Sequence, residues 1–318
     1  MKDLNSELKE KIEQVDQMLL DTLPREEGYQ KTVYQAMKYS LMAGGKRLRP
    51  LFMKSSFEFF GGKDEPMLDA FMAAIEMIHT YSLIHDDLPA MDDDDYRRGR
   101  LSNHKVFGEG MAILAGDALL GYAYEVASRA VDDAFSAELK SARGASLDLA
   151  SVQRLGRGVR ALRILGNKPG VYGMLGGQVV DVELTGQSIA PEVLDFIFDY
   201  KTGAMIEASL MIGACLAGAS ESQIEKMREA GHDIGMAFQI QDDILDVTAT
   251  EEELGKPVHS DEKNDKTTWV SLYGMEKALQ DVQDYSDAAL AILRDLYGQG
   301  AEDIFLYRLI QKLIHRKK

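Results

Sequence analysis

The sequence predicts an all-α fold, and three observations support this class. Only seven prolines occur in 318 residues, and none lies between Pro89 and Pro169 or between Pro191 and Pro257. Apolar residues recur at steps of three or four over residues 224–245, which is the period of a helix with one buried face. No sustained alternation of apolar and polar residues is flanked by hairpin turns of the Asn-Gly type.

Glycine and proline indicate where the helices begin and end. The apolar run 73–84 predicts one helix, which we expect Pro89 to end at Leu88. Pro191 is expected to begin another. No stretch resembles a linker, so we predict a single domain over residues 1–318, although length alone allows about two. Further breaks are expected at residues 44–45, 61–62, 167–170, 186 and 253–257.

Composition excludes several classes of protein. With 36 Lys+Arg and 52 Asp+Glu, the net charge of -16 has the wrong sign for a general nucleic-acid surface. A mean hydropathy of -0.22 and the lack of a long apolar run predict no transmembrane segment. The start of the chain lacks a signal-peptide pattern, and the one cysteine, Cys215, cannot form an intrachain disulfide. We therefore expect a cytoplasmic protein.

One segment is basic within this acidic chain. Seven of the eight charged residues between Lys140 and Lys168 are Lys or Arg. Arginines three residues apart drift around a helix, so we interpret the segment as a solvated helical face. The alternative is contact with an acidic partner or a membrane surface.

Two clusters of carboxylates carry the clearest chemical signal. Residues 86–95 contain six aspartates, and the second cluster lies in the periodic helix. At about 100° per residue, Asp242 and Asp246 share one helical face with Gln239 beside them. Their mutual repulsion indicates bound divalent cations, with Mg²⁺ preferred where phosphate completes the coordination. The alternative is that acidic runs in an acidic chain are solvated surface.

In the first cluster, a regular helix would not place Asp86 and Asp92 on one face, because six steps rotate by about 240°. A turn at Pro89 is expected to bring Asp92 back towards Asp86. A calcium-binding EF-hand loop is excluded, since its glycine and terminal glutamate are missing.

Basic residues accompany both clusters. Lys46 and Arg49 follow a glycine pair, and Lys201 and Lys256 lie beside glycines. Each is more often a surface cation than a ligand. Together with the aspartates they predict a cavity for two polyanions, bound partly through metal and partly by Lys and Arg directly.

With these clusters and basic residues, the chain resembles the trans-prenyl diphosphate synthases, and most closely the short-chain bacterial farnesyl members. The resemblance covers nearly the whole chain, and the basic segment from Lys140 to Lys168 matches least well. The motifs that carry the resemblance are Gly-Gly-Lys-Arg-Leu-Arg-Pro at 44–50, Asp86-Asp87 with a four-residue spacer to Asp92, Arg97-Arg98-Gly99, Asn103-His104-Lys105, Gly176-Gly177-Gln178, Lys201-Thr202-Gly203, the segment 238–246, Gly255-Lys256-Pro257 and the segment 261–268.

The resemblance implies a helical bundle around a deep central cavity, usually as a homodimer. It also implies head-to-tail condensation of isopentenyl diphosphate with an allylic diphosphate (dimethylallyl or geranyl), giving farnesyl diphosphate with three Mg²⁺ ions that Mn²⁺ can replace. In the family the departing diphosphate itself is the candidate base. The alternative is a geranylgeranyl diphosphate synthase with a longer product.

The resemblance also assigns roles to residues. Asp86, Asp92 and Asp242 would hold metal, supported by Asp87, Asp243 and Asp246. The catalytic set is Asp86, Asp87, Asp92, Lys201, Asp242 and Asp243. The contacts to isopentenyl diphosphate are Lys46, Arg49, His79 and Arg98, and those to the allylic diphosphate are Arg97, Lys201, Thr202, Gln239, Lys256 and Lys266.

Product length is predicted from the helix before the first cluster. Ser82 lies four residues before Asp86 on the same helical face, and Tyr81 flanks it about 7 Å below the metal site by helical rise. In the family an aromatic side chain at this level accompanies short products; the alternative is an ordinary core tyrosine.

Two further alternatives to a prenyl diphosphate synthase are a terpene cyclase, which needs no second diphosphate site, and a regulatory subunit, which need not keep the carboxylates.

Overall fold

The computed structural model describes residues 3–63, 65–143, 146–248 and 267–314. Most of these residues are helical, which confirms the all-α class. The α-helices are α1 Leu4–Thr22, α2 Lys31–Leu41, α3 Leu48–Phe59, α4 Pro66–Asp86, α5 Asn103–Phe107, α6 Glu109–Ala142, α7 Leu149–Asn167, α8 Met174–Glu183, α9 Pro191–Ile197, α10 Ala204–Ala217, α11 Glu221–Thr248, α12 Trp269–Tyr273, α13 Met275–Tyr297 and α14 Phe305–Ile314.

Four further elements complete the secondary structure of the described residues. A π-helix spans Phe198–Gly203 and a 3₁₀ turn spans Ala301–Asp303. Two two-residue strands, β1 Tyr96–Arg97 and β2 Arg100–Leu101, form an antiparallel hairpin. The sequence did not predict this hairpin, because its turn is Arg98-Gly99, with φ of 54° and 73°, rather than Asn-Gly. α9 begins at Pro191 and α11 covers the periodic segment, as predicted.

The chain forms two compact units. Unit 1 contains residues 1–163 and 215–218, and unit 2 contains residues 164–214 and 219–318. The single domain and the central cavity implied by the resemblance stay predictions.

In unit 1 the central element is α4. This helix packs against α6 and also contacts α1, α2 and α3. Its side chains Phe71, Ile75 and Ile78 are fully buried. Gly116 of α6 permits a close approach, because a Cβ there would lie 2.1 Å from Nε2 of His85 on α4. α4 is therefore fixed along its length before it ends at the first aspartate cluster.

α4 is also long and apolar enough to cross a membrane by length and composition, which the sequence analysis did not single out. In this structure 67% of its most apolar window is buried inside the protein. Such burial is typical of the core helix of a globular protein.

In unit 2 the central element is α11. It packs against α13, the π-helix, α12 and α14. Its side chains Met236, Ile240 and Ile244 join Phe198 and Trp269 in one buried apolar cluster. α11 carries the second aspartate cluster near its C-terminal end, so its core packing sets the position of those carboxylates.

The basic segment contains α7, and one of its arginines, Arg154, forms ion pairs within the protein. Arg154 donates to both carboxylate oxygens of Glu65 at 2.9 and 2.8 Å and to Glu138 at 3.0 Å. Glu65 caps the start of α4 and Glu138 lies on α6. These ion pairs connect three helices of unit 1, and the proposed contact with an outside partner stays untested.

A buried arginine connects the chain before α3 to α4. Arg47 is 2% exposed and has a left-handed backbone, with φ of 49°. Its guanidinium donates to Asp16 at 2.7 Å, to Glu76 at 2.9 Å and to the carbonyl of Leu41 at 2.7 Å. Removing one member of such a buried pair leaves the other charge without compensation.

We expect Arg47→Met to lower the free energy of unfolding by about 3–5 kcal/mol, because the buried Glu76 then loses its ion-pair partner. The double variant Arg47→Met/Glu76→Met should recover much of this loss. Lys38→Met, which removes an exposed ion pair with Glu26, is the matched control and should change little. Urea unfolding is measured on the wild type and the three variants, and an equal loss in Arg47→Met and in the double variant would contradict this role.

Candidate active site

The first aspartate cluster begins where α4 ends. The helix stops at Asp86, two residues before the predicted end, and the backbone N–H of Asp92 donates to the carbonyl of Asp86 at 2.8 Å. The N–H of Asp93 donates to the carbonyl of Leu88 at 3.1 Å. The predicted return of Asp92 towards Asp86 is therefore confirmed at the level of the backbone.

Asp87 and Arg97 form an ion pair within this cluster. Asp87 is 3% exposed, and its Oδ1 accepts from Nε of Arg97 at 2.9 Å and from Nη2 as well. Arg97 also donates to Asp94 at 3.2 Å. Burial raises the pKa of Asp87, and the charge and hydrogen bonds of Arg97 oppose that rise. Asp87 is thus a buried partner of Arg97, whose side chain is 31% exposed.

Next to this pair, unit 1 collects cations with little compensating charge. Burial lowers the pKa of Arg49 to about 10, with a further contribution from the nearby charge of Arg98. Burial also lowers the pKa of His79 well below its usual range, and the charges of Arg49 and Arg98 add to this effect. Among the described residues, the acidic side chain that acts on Arg49 is Glu76, which Arg47 already binds.

The geometry around Arg98 is set by two glycines. Nη1 of Arg98 donates to the carbonyl of Gly44, and a Cβ on Gly45 would lie 2.7 Å from the guanidinium carbon. Nε of Arg49 is buried and has no hydrogen-bond partner among the described residues. Of the predicted contacts to isopentenyl diphosphate, the structure brings Arg49, His79 and Arg98 into one electrostatic group, whereas Lys46 is exposed.

The predicted chain-length residues lie on α4 before the cluster. The rings of Tyr81 and His85 meet edge to face with centroids 5.7 Å apart. Burial raises the pKa of Tyr81 to about 12, and Tyr124 and Asp86 add smaller effects. Ser82 donates to the carbonyl of His79 at 2.9 Å, within its own helix.

In unit 2, Lys201 and Thr202 are carried by the π-helix. Nζ of Lys201 lies 2.7 Å from Oδ2 of Asp181, and Thr202 donates to Oε1 of Gln239 at 2.8 Å. Asp181 was not among the residues predicted from the sequence. Its signal was present, because it follows Gln178 by three residues on α8 and so shares a helical face with it.

Two close backbone contacts hold the π-helix in place. A Cβ on Gly177 of α8 would lie 2.3 Å from the backbone nitrogen of Lys201. A Cβ on Gly235 of α11 would lie 2.6 Å from Cα of Gly203. Substitution of either glycine would therefore displace the backbone that carries Lys201 and Thr202. A cavity of about 110 Å³ adjoins this segment, lined in part by Asp181, Lys201, Thr202, Gln239, Asp243 and Phe198.

The aspartates of α11 differ in their surroundings. Asp243 is 4% exposed and accepts from the backbone N–H of Trp269 at 2.7 Å, so it positions the start of α12. Asp246 is also buried, whereas Asp242 is half-buried. The predicted allylic contacts Lys256 and Lys266 lie outside the described residues.

The described residues form two carboxylate and histidine groups whose ligand atoms lie within 4.8 Å of one another. They are Asp93, Asp95 and His104 in unit 1, and Asp199, Glu207 and His232 in unit 2. Neither group includes the predicted metal ligands Asp86, Asp92 and Asp242.

In the second of these groups, cations already compensate the carboxylates. Glu207 is 2% exposed and forms an ion pair with Lys168 and, at 3.7 Å, with Arg228. Nδ1 of His232 lies 2.7 Å from Oδ1 of Asp199. This hydrogen bond raises the pKa of His232, opposed by burial, and Asp199 belongs to the π-helix that also carries Lys201.

Comparison with known proteins agrees with these features. A family model described as polyprenyl synthetase matches residues 30–304. A farnesyl diphosphate synthase of Geobacillus stearothermophilus is 40% identical over 308 residues, covering 97% of this chain and 97% of that protein. A geranylgeranyl diphosphate synthase of Cyanophora paradoxa is 41% identical over 277 residues, covering 87% and 85%.

Solved structures include a geranyltransferase from Legionella pneumophila with a TM-score of 0.79 and 32% identity, covering 98% of this chain and 97% of that one. The chain therefore belongs to the polyprenyl synthetase family.

The pair of His232 and Asp199 gives a prediction about pH. Because the folded pKa of His232 is raised above its unfolded value of about 6.5, its contribution to stability is fully present below that value and is lost as pH rises through the folded pKa. Asp199→Asn should therefore reduce the free energy of unfolding most at about pH 5.5–6.5, where the unfolded histidine is largely charged. The reduction should be smaller at higher pH. Chemical unfolding across this range is the measurement, and a pH-independent difference would contradict the assignment.

Proposed function

We propose that this chain is a prenyltransferase that condenses isopentenyl diphosphate with dimethylallyl or geranyl diphosphate to give farnesyl diphosphate. The observation that carries the proposal is the cation group of Arg49, His79 and Arg98, whose pKa values are all lowered by burial and by neighbouring positive charge. Such a group is stabilised by an incoming polyanion, and it lies in the same unit as the first aspartate cluster.

We assign isopentenyl diphosphate to this cation group. The buried Nε of Arg49 supplies a donor that no described residue accepts from, and guanidinium groups match phosphate oxygens geometrically. A bound diphosphate would also favour the charged form of His79. Lys46, exposed beside them, is the fourth predicted contact.

We assign the allylic diphosphate to Lys201, Thr202, Gln239 and Arg97, together with the undescribed Lys256 and Lys266. Asp181 is a positioning residue in this scheme, because it holds the ammonium group of Lys201 at 2.7 Å. The ion pair of Arg97 with Asp87 suits a similar positioning arrangement, in which an arginine is oriented before the substrate arrives.

The donor set of the two clusters fits Mg²⁺. Carboxylate oxygens are its preferred protein ligands, and the backbone hydrogen bond between Asp86 and Asp92 keeps these two residues on one turn. We propose Asp86, Asp92 and Asp242 as ligands of three ions, with Mn²⁺ able to substitute. Asp243 and Asp246 are buried and fit the supporting role that the resemblance implies, as does Asp87. When bound, Mg²⁺ neutralises charge that develops on the leaving diphosphate.

The protein side chains then act on charge and water. Lys201 and Arg97 stabilise negative charge on the departing diphosphate, while Arg49, His79 and Arg98 hold the second substrate so that its double bond attacks the allylic carbon. Apolar side chains such as Phe198 exclude water that would capture the cation. The departing diphosphate takes the proton released from the adduct, so no carboxylate is needed as a base.

The homodimer and the cytoplasmic location are part of the same proposal. Ile113 and Leu114 on α6 are 45% and 54% exposed, which suits contact with a second chain. Cys215, the single cysteine, is buried and its pKa is raised to about 11 by burial, as in an unreactive thiol.

Incubation with isopentenyl diphosphate, each allylic starter and Mg²⁺, followed by sizing of the products, tests the function. A fifteen-carbon product supports the proposal, and a twenty-carbon product supports the geranylgeranyl alternative. A cyclised product formed without isopentenyl diphosphate indicates a terpene cyclase, and no turnover indicates a regulatory subunit.

We expect Asp86→Ala and Asp242→Ala each to abolish most turnover without unfolding the protein, because each removes a proposed metal ligand. Asp132→Ala, an exposed aspartate on α6, is the control and should leave turnover unchanged. Initial rates and circular dichroism are measured together. Near-normal rates in either cluster variant would contradict the metal assignment.

We expect Tyr81→Ala to lengthen the product, because it removes a half-buried ring that lies on α4 before the cluster. Tyr297→Ala, at a tyrosine 45% exposed on α13, controls for loss of an aromatic ring. Chromatography of the products measures chain length. A product distribution that does not change would remove Tyr81 from this role.

A further inference from the structure

Part of the first aspartate run has no role in the proposed reaction. Asp93 and Asp95 follow the turn that returns Asp92 to Asp86, and His104 lies in the first turn of α5. One carboxylate oxygen from each aspartate and one ring nitrogen of His104 lie within 4.8 Å of one another. These three residues are called here the loop site.

His104 provides the observation that points to a ligand. The residue is 7% exposed, and its Nδ1 lies 3.0 Å from the hydroxyl of Ser102. Its Nε2 is buried and has no hydrogen-bond partner among the described residues. If Nδ1 carries the proton and donates it to Ser102, Nε2 has a lone pair that no described residue uses, on a ring that has one nitrogen within 4.8 Å of the two carboxylates.

This arrangement matches that of a metal-bound histidine, in which one ring nitrogen binds the ion and the other is oriented by a hydrogen bond. The backbone N–H of Ser102 also donates to the carbonyl of Asp95 at 2.9 Å, so the residue that orients the ring is joined to the loop. Lys105 lies 2.6 Å from Oδ1 of Asp95, and a carboxylate has a second oxygen for a ligand bond.

We infer that Asp93, Asp95 and His104 bind a divalent first-row transition-metal ion, at a site separate from the Mg²⁺ ligands proposed above. The imidazole nitrogen favours Zn²⁺ or Mn²⁺ over Mg²⁺, which prefers oxygen ligands alone. Three protein ligands leave positions for water. Asp93 and Asp95 are exposed, so the ion has an entry path from solvent.

The group in unit 2 does not support the same inference. Its Glu207 already binds Lys168, and Asp199 already binds His232. The loop site differs because Nε2 of His104 has no hydrogen-bond partner in the described chain.

An ion at the loop site would connect the aspartate loop to α5. The β1–β2 hairpin, which carries Arg97 and Arg98, lies between these two segments in the sequence. Binding is therefore expected to stabilise the hairpin as well as the loop.

The experiment uses the full untagged chain, stripped of metal and free of diphosphates. Zn²⁺ is titrated by calorimetry in millimolar Mg²⁺, and Mn²⁺ binding is followed by electron paramagnetic resonance. We expect one Zn²⁺ per chain that excess Mg²⁺ does not displace, with a change in the ¹⁵N resonance of His104 Nε2. Asp93→Asn, Asp95→Asn and His104→Gln should each weaken binding by at least about 10-fold.

Two controls separate this site from its surroundings. Asp94→Asn removes the same charge from the same loop and should leave Zn²⁺ affinity unchanged, as should Asp86→Ala. Equal loss in Asp94→Asn would mean general electrostatic attraction, and loss in Asp86→Ala would assign the ion to the diphosphate site; either result, or no Zn²⁺ binding, overturns the inference. If His104→Gln does not fold, the two exposed aspartates still decide. Because no substrate is present, failure here leaves the proposed function untouched.

Discussion

The C-terminal ends of two central helices carry carboxylates, and this constraint governs the chemistry of both units. Asp86 is the last residue of α4, and Asp242, Asp243 and Asp246 lie in the last two turns of α11. A helix C-terminus is already partially negative, so a carboxylate in the last turn, such as Asp86 or Asp246, is disfavoured by about 0.3–1 kcal/mol. Positive charge must offset this cost. An all-α protein that keeps these residues is therefore suited to binding cations, and through them polyanions.

Part of the compensation comes from the protein itself. Arg97 pairs with Asp87, directly after the end of α4. On α11, Asp243 accepts a backbone N–H from Trp269, which satisfies a buried carboxylate with a hydrogen bond and no charge. Asp86, Asp92 and Asp242 are more exposed than Asp87 and Asp243. The more buried aspartates thus support the structure, and the more accessible ones are better placed to hold metal.

Glycine is the means by which cationic side chains are placed. Gly45 leaves room for the guanidinium of Arg98, and Gly177 and Gly235 let neighbouring helices contact the backbone of the π-helix. The π-helix departs from regular α-helical spacing at Lys201 and Thr202. Irregular turns of this kind are frequent at functional sites, and here packing against α8 and α11 holds the turn in place.

Local patterns were enough to predict the all-α class, the helices over 73–84, from Pro191 and over 224–245, and the return of Asp92 towards Asp86, because a helix period and a proline act over only a few residues. They were not enough for the hairpin, whose Arg98-Gly99 turn differs from the usual hairpin pair. Nor did they identify Asp181, whose role depends on a lysine twenty residues away.

The sequence by itself determined the all-α class, the residue types of the site and the family, since each is recorded in short motifs and in apolar periodicity. Tertiary structure alone decided what each charge contacts. Arg47 and Arg49 are two residues apart, yet one is neutralised by Asp16 and Glu76 while the other keeps a buried donor without a described acceptor. Burial and the distance to a counter-charge make that difference, and both arise from packing between segments remote in sequence.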